Sequence, residues 1–166
     1  MGISGAGAVI VIGCDPGYEQ SALVTWDSTG QQIVGHVQMG NEQILDEFRA
    51  RNLIDGSILV IEQIESMGMP VGKTTFETVY WSGRFAEAFW PNRVERLPRR
   101  AIKLNLCGQS RATDSTIKQA IVDRFGPSTA QAIGRKATPG PLYGIKQHCW
   151  AALAVALTWS DQHAGG

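Results

Sequence analysis

The sequence predicts an α/β domain, with helices covering a central sheet. Two unbroken apolar runs, Val9-Ile10-Val11-Ile12-Gly13-Cys14 and Ile58-Leu59-Val60-Ile61, read as strands buried on both faces. Between and after them lie segments whose apolar residues recur at helical spacing, the last an alanine-rich stretch smooth enough to lie close against a sheet. At 166 residues, 43% of them hydrophobic, the chain is expected to form a single domain with a sizeable core.

The first strand delivers Asp15 into Pro16-Gly17, a pair that turns the chain sharply. Residues 21–26 alternate loosely, and 31–39 read as a further strand, with Asp27-Ser28-Thr29-Gly30 between them. An amphipathic helix is expected over 41–51, with Asn41 as N-cap and Ile44, Leu45 and Phe48 on its apolar face; Asp55-Gly56 closes it. The second apolar strand then ends in Glu62, and Gly68-Met69-Pro70-Val71-Gly72 is a turning segment.

From Lys73 to Trp90 the pattern is helical, with Phe76, Val79, Tyr80, Gly83 and Phe85 expected on one broad face and Trp81 and Trp90 on another. That is more aromatic surface than one helix on a small sheet needs. It predicts a subunit interface that includes Phe76, Tyr80 and Gly83. Residues 93–97 form a short strand ended by Pro98, and 99–106 a short basic helix stopped near Gly108. Residues 113–125 make a helix capped by Thr113 or Asp114 and ended by Gly126-Pro127. The stretch 128–143, rich in Gly, Pro, Ala and basic residues, is expected to be a mobile basic loop. The last helix is expected from about Ile145 to Trp159, and residues 1–7 as a flexible lead-in.

The formal net charge of zero hides a strong polarity. Residues 1–92 hold 11 acidic and 4 basic side chains, whereas residues 93–146 hold 11 basic and 3 acidic ones. Arg93, Arg96, Arg99, Arg100 and Lys103 cluster tightly, and Arg111, Arg135, Lys136 and Lys146 extend the basic region. Such asymmetry points to an anionic partner, with phosphates the usual candidate. Three cysteines without metal-ligand spacing do not form a disulfide framework and fit a reducing cytoplasm. No apolar run reaches the roughly 18 residues of a membrane helix, and the start lacks the basic region of a signal peptide, so no membrane partner is expected.

A carboxylate at the end of a buried strand is costly unless something pairs with it. Asp before Pro-Gly alone is ordinary turn chemistry, but two buried strands that each deliver an acid are more informative. If the strands lie side by side, Asp15 and Glu62 can share one metal site, where a cation relieves their repulsion. The small side chains of the last helix bring its first turns near the strands. His148 there stands where a third metal ligand or a general base would be wanted.

Several stretches together resemble RuvC-type Holliday junction resolvases. These are Val11-Ile12-Gly13-Cys14-Asp15-Pro16-Gly17, Leu59-Val60-Ile61-Glu62-Gln63, the Ile102-Lys103 pair with the Cys107-Gly108 turn, and Ala152-Leu153-Ala154-Val155-Ala156-Leu157-Thr158. The 76–89 stretch and Pro139-Gly140-Pro141-Leu142-Tyr143-Gly144 are similar to the phage-encoded branch. The resemblance runs from Val9 to Trp159.

It implies a ribonuclease-H-like fold with a mixed five-stranded sheet flanked by helices, and a homodimer acting on four-way DNA junctions. It also implies phosphodiester hydrolysis dependent on Mg²⁺ or Mn²⁺, in a bacterial host cytoplasm if the chain is phage-encoded. Asp15 and Glu62 match the first two family ligands, and His148 falls at the third. Lys103 would approach the scissile phosphate. The fourth ligand falls at Ala151, which cannot bind metal. The alternatives are a branch that dispenses with that ligand and a catalytically impaired junction-binding protein. A kinase-like ATPase also opens with a strand, an Asp and a glycine-containing hairpin. Such folds are usually duplicated and much longer, and no second phosphate loop is present here.

Overall fold

A computed structural model describes residues 7–164, so the expected lead-in falls, apart from Gly7, outside the described residues. Its centre is a sheet of β1 (Ile10–Asp15), β2 (Gln20–Asp27), β3 (Gln32–Gly40), β4 (Ile58–Gln63) and β5 (Val94–Pro98). The strand order is β3-β2-β1-β4-β5. The first three strands form an antiparallel meander, while β4 and β5 run parallel to β1, so the five-stranded sheet is mixed, as expected. Helices α1 (Asn41–Arg49) and α2 (Lys73–Phe89) cover one face. The other is covered by α3 (Arg99–Cys107), α4 (Asp114–Phe125) and α6 (Cys149–His163). No helix among the described residues is long and apolar enough to cross a membrane.

Strand parity divides the core in two. On β1, Ile12 and Cys14 face α1 and α2, while Val11 faces α6; on β4, Leu59 and Ile61 point one way and Ile58 and Val60 the other. Both strands are therefore apolar on both faces, which is why they read as unbroken runs.

The α6 face of β1 is bare at Gly13. A Cβ there would lie 2.1 Å from the Ala152 carbonyl oxygen and 2.9 Å from the Ala156 nitrogen. Helix α6 thus lies directly on the strand, its alanines removing the bulk that would hold it away. Its far end is pinned by the Trp26 indole N–H, which donates to Ser160 Oγ at 3.3 Å, and by the Trp159 N–H, which donates to Glu95 at 2.9 Å.

Several local expectations are corrected. The N-cap of α1 is Gly40, whose N–H donates to Gln43 Oε1, while Asn41 is the first helical residue and turns its buried side chain away from the helix. On α2, Phe85 is fully buried against Phe48, whereas Phe76, Val79 and Tyr80 are exposed. Residues nine apart are two and a half turns apart and face opposite ways, so Phe85 does not share the face of Phe76.

The stretch 128–143 is not a loose loop. It folds as α5 (Thr129–Ile133) and a small hairpin of β6 (Gly134–Arg135) and β7 (Thr138–Pro139), anchored by fully buried Ala132 and Leu142. Helix α6 begins at Cys149, after a turn in which Gln147 adopts φ 44°, rather than near Ile145.

Adding one methyl group at Gly13 must lift α6 off β1 or distort it. Gly13→Ala should therefore destabilise the domain by about 3 kcal/mol or more, read from urea unfolding. An unchanged midpoint would mean that the α6–β1 contact is not as close as described.

Candidate active site

The register of the β1–β4 pair builds the site. Gly13 lies opposite Val60 and Cys14 opposite Ile61, so one further step sets Asp15 beside Glu62. By parity both point to the α6 face, as do Val11 and Val60. The turn after Asp15 is braced. The Gly17 N–H donates to Ser21 Oγ at 3.0 Å, the Ser21 hydroxyl donates to Asn41 Oδ1 at 2.7 Å, and the Asn41 amide returns a hydrogen bond to the Gly17 carbonyl at 2.9 Å.

Each acid has one close partner. The His148 Nδ1 lies 2.9 Å from Asp15 Oδ2, and Arg99 Nη1 donates to Glu62 Oε1 at 2.9 Å. The second arm of the Arg99 guanidinium pairs with Asp114 at the start of α4. His148 stands at the N-cap position of α6 with its side chain 69% exposed, whereas that of Glu62 is only 11% exposed. Burial, and then the neighbouring Glu62, push the Asp15 carboxyl up to about 6; the His148 contact and Arg99 oppose that rise without cancelling it. Burial likewise pushes up the Cys14 thiol behind the pair, with Asp15 and Glu62 adding to the effect.

A cleft of about 440 Å³ opens over the acids. Asp15, Glu62, Arg99, Asp114, Lys118, Gln147, His148, Trp150, Ala151 and Ala154 are among the residues that line it. His148 and Ala151 share a face toward the acids, and Ala151 contributes only a methyl group. Sequence reasoning missed Lys118, whose ammonium lies 4.9 Å from the Trp150 ring centroid, and the part played by Asp114. Only the meeting of α4 with α6 reveals Lys118, and only that of α4 with α3 reveals Asp114, because on α4 alone they read as ordinary exposed polar positions.

The basic residues do not form one surface. Arg100, Lys103 and Arg111 line a second groove, about 590 Å³, that shares Glu62 and Arg99 with the cleft. Lys103 therefore stands beside the acid cleft rather than in it, and Lys118 is the lysine inside. Arg99, expected to contact DNA, is engaged with Glu62 and Asp114 in the chain alone. Arg93 precedes β5 and so lies at the opposite end of the sheet from Glu62; it pairs with Glu95 and covers the Trp159 ring.

Arg96 is exposed on β5, with the parity of Val94 on the α1–α2 side. Arg135, Lys136 and Lys146 are exposed on the 134–146 segment and do not line the acid cleft. Phe76, Tyr80 and Gly83 lie exposed on α2, and the last two border a concavity of about 840 Å³ shared with Arg49, Arg51, Arg84 and Trp90.

The donor set fits a hard divalent cation. Two adjacent carboxylates, one held protonated up to about pH 6 by burial and its neighbour, would gain from a bridging charge. Among the described residues no group of three or more His, Cys, Asp or Glu side chains forms a ready ligand cage. The arrangement matches an ion that takes one or two carboxylates and keeps much of its own water, as Mg²⁺ does.

The raised Asp15 pKa has a consequence for stability. The unfolded chain loses this proton near 3.8 and the folded one near 6, so between these values the folded state holds the extra proton. Stability from this group is full below about pH 4 and falls by about 3 kcal/mol as pH rises through 6. Asp15→Asn cannot ionise. Its stability relative to the natural chain, from urea unfolding, should improve by about 2–3 kcal/mol between pH 4 and pH 7.5; a pH-independent difference would show that the carboxylate is not penalised.

No protein-family model matches the chain, and no curated protein matches it in sequence. Solved structures do. The Thermus thermophilus RuvC structure aligns with TM-score 0.65 at 16% identity, covering 95% of this chain and 97% of that one. T. thermophilus RuvC in complex with Holliday junction substrate aligns with TM-score 0.58 at 15% identity, covering 90% and 92%. At such identities the likeness establishes the fold, which is the ribonuclease-H-like α/β architecture of RuvC.

Proposed function

We propose that the chain is a metal-dependent, structure-selective endonuclease that resolves Holliday junctions by phosphodiester hydrolysis. The observation that carries this reading is the meeting of Asp15 and Glu62 at the ends of adjacent parallel strands, beside a groove lined by Arg100, Lys103 and Arg111. The likeness of fold to a RuvC described with Holliday junction substrate supports branched DNA as the partner.

Attack on a phosphodiester builds negative charge on oxygens that are already anionic, so positive charge must be held rigidly at the reacting phosphate. Asp15 and Glu62, with His148 beside them, would hold Mg²⁺ or Mn²⁺. When bound, such an ion lowers the pKa of water and stabilises the leaving oxygen. His148 keeps the Asp15 carboxylate oriented through Nδ1. Lys118, steadied on Trp150, adds positive charge inside the cleft, while Arg100, Lys103 and Arg111 hold the DNA backbone without reading its sequence.

Two symmetric cuts call for two copies of the site, and the exposed Phe76, Val79 and Tyr80 on α2 offer the surface for a homodimer. The phage-encoded branch, and with it a bacterial cytoplasm, is proposed on the resemblance of residues 76–89 and 139–144. A second reading, a junction-binding protein impaired in cleavage, is favoured by one observation: Ala151 faces the acid cleft without a ligand atom.

Nicking and binding of a four-way junction test both readings. Asp15→Asn and Glu62→Gln should each abolish nicking while leaving junction affinity within a few-fold. Ala151→Asp should raise cleavage in Mg²⁺ by supplying a hard anionic ligand. Tight binding with no metal-dependent nicking by the natural chain or by Ala151→Asp would favour the binding protein. ATP turnover without junction binding would favour a kinase-like enzyme. Light scattering should give a dimer at micromolar concentration; a monomer, also with junction DNA present, would remove α2 as an interface.

A further inference from the structure

We propose that Arg99 is a tethered counter-ion: it holds Glu62 in the metal-free protein and must be displaced before Glu62 and Asp15 can hold a divalent cation. Arg99 thereby sets how tightly the site holds metal before DNA arrives. The inference rests on the acid pair being the metal site proposed above.

Glu62 is buried, and a buried carboxylate needs a partner of opposite charge. Its partner is a residue whose position the backbone dictates. Glu62 lies opposite Leu97 in the β4–β5 register, Pro98 caps α3, and Arg99 is the first helical residue. The guanidinium is a planar fork, and its two arms hold two different acids, Glu62 on β4 and Asp114 on α4. A lysine could not hold both in this way.

A second fork among the described residues, Arg124, places both arms on the single carboxylate of Asp161 and ties α4 to α6 away from the acid pair. Arg99 differs because one of its two acids is also a candidate ligand, and because its side chain is 39% exposed while that of Glu62 is 11% exposed. It can let go of Glu62 without carrying a charge into the core.

The charge balance favours exchange. Arg99 offsets the charge of Glu62 but touches Asp15 only at a distance, whereas a divalent ion offsets both carboxylates at once. On displacement, the arm on Asp114 remains as an anchor, and the freed arm stays between the acid cleft and the basic groove. Arg99 lines both. A backbone phosphate in the groove is then a ready partner for it, so DNA and metal both draw Arg99 away from Glu62.

Mn²⁺ binding to the full chain without DNA, measured by titration calorimetry, tests this. Arg99→Gln should bind Mn²⁺ about tenfold tighter than the natural chain, the ratio that corresponds to ~1.4 kcal/mol of lost competition. Arg99→Lys, which keeps the charge but loses the fork, should fall between the two and guards against a folding defect in the glutamine variant. Circular dichroism melts would establish that each variant is folded.

Equal or weaker Mn²⁺ binding by both folded variants would overturn the inference alone, provided that Glu62→Gln abolishes binding by the natural chain. If Glu62→Gln and Asp15→Asn leave Mn²⁺ binding unchanged, the acid pair is not the metal site, and the inference falls together with the functional reading.

Discussion

The arrangement of this protein turns on one unfavourable contact: two carboxylates set side by side at the ends of a buried parallel strand pair. Nothing in the strands themselves relieves that repulsion. The neighbouring elements therefore arrive at this point with compensating groups, Arg99 from the start of α3 and His148 from the cap of α6. Even so, the Asp15 carboxyl stays well above its ordinary range. A fold stabilised only for its own sake would place an apolar residue there, as it does at Cys14 and Ile61, one step back on the opposite face. Retained charge of this kind is a common mark of chemistry.

How much of this was legible in the sequence depended on the range of the interaction involved. Unbroken apolar runs marked β1 and β4 and the acids that end them, because burial on both faces leaves a signature within six residues. The cap of α4 was legible for the same reason, Thr113 accepting from the Thr116 N–H one turn ahead. The type of Asn41 suits a helix cap, but its side chain is drawn to Gly17 in the β1–β2 turn and Ser21 at the start of β2, twenty-four and twenty residues away in the chain. The pairing of Arg99 with Glu62 was not legible, because charge counting finds a cation but not the carboxylate that the fold brings beside it.

The segment 128–143 shows the opposite error. Its Gly- and Pro-rich composition suggested a loose loop, but two of those glycines are there because backbone passes too close for a side chain. A Cβ on Gly140 would lie 2.4 Å from the Gln131 carbonyl oxygen, and one on Gly134 would lie 2.3 Å from the Gly140 nitrogen. Composition alone does not separate glycine used for freedom from glycine used for closeness. The same distinction explains Gly13, where closeness lets α6 place His148 and Ala151 over the acids.

The hydrogen-bonded triangle of Gly17, Ser21 and Asn41 bears on what ligand binding must cost. Loops that carry a binding group usually give up freedom when the ligand arrives, and that ordering is subtracted from the affinity. Here the turn that follows Asp15 is already held at three points, one of them the first residue of a helix on the other side of the sheet. Asp15 is mounted before any ligand comes. A cation taken up there, as proposed, would meet a surface whose entropy was surrendered during folding, so weak, few-ligand binding could still be selective in position.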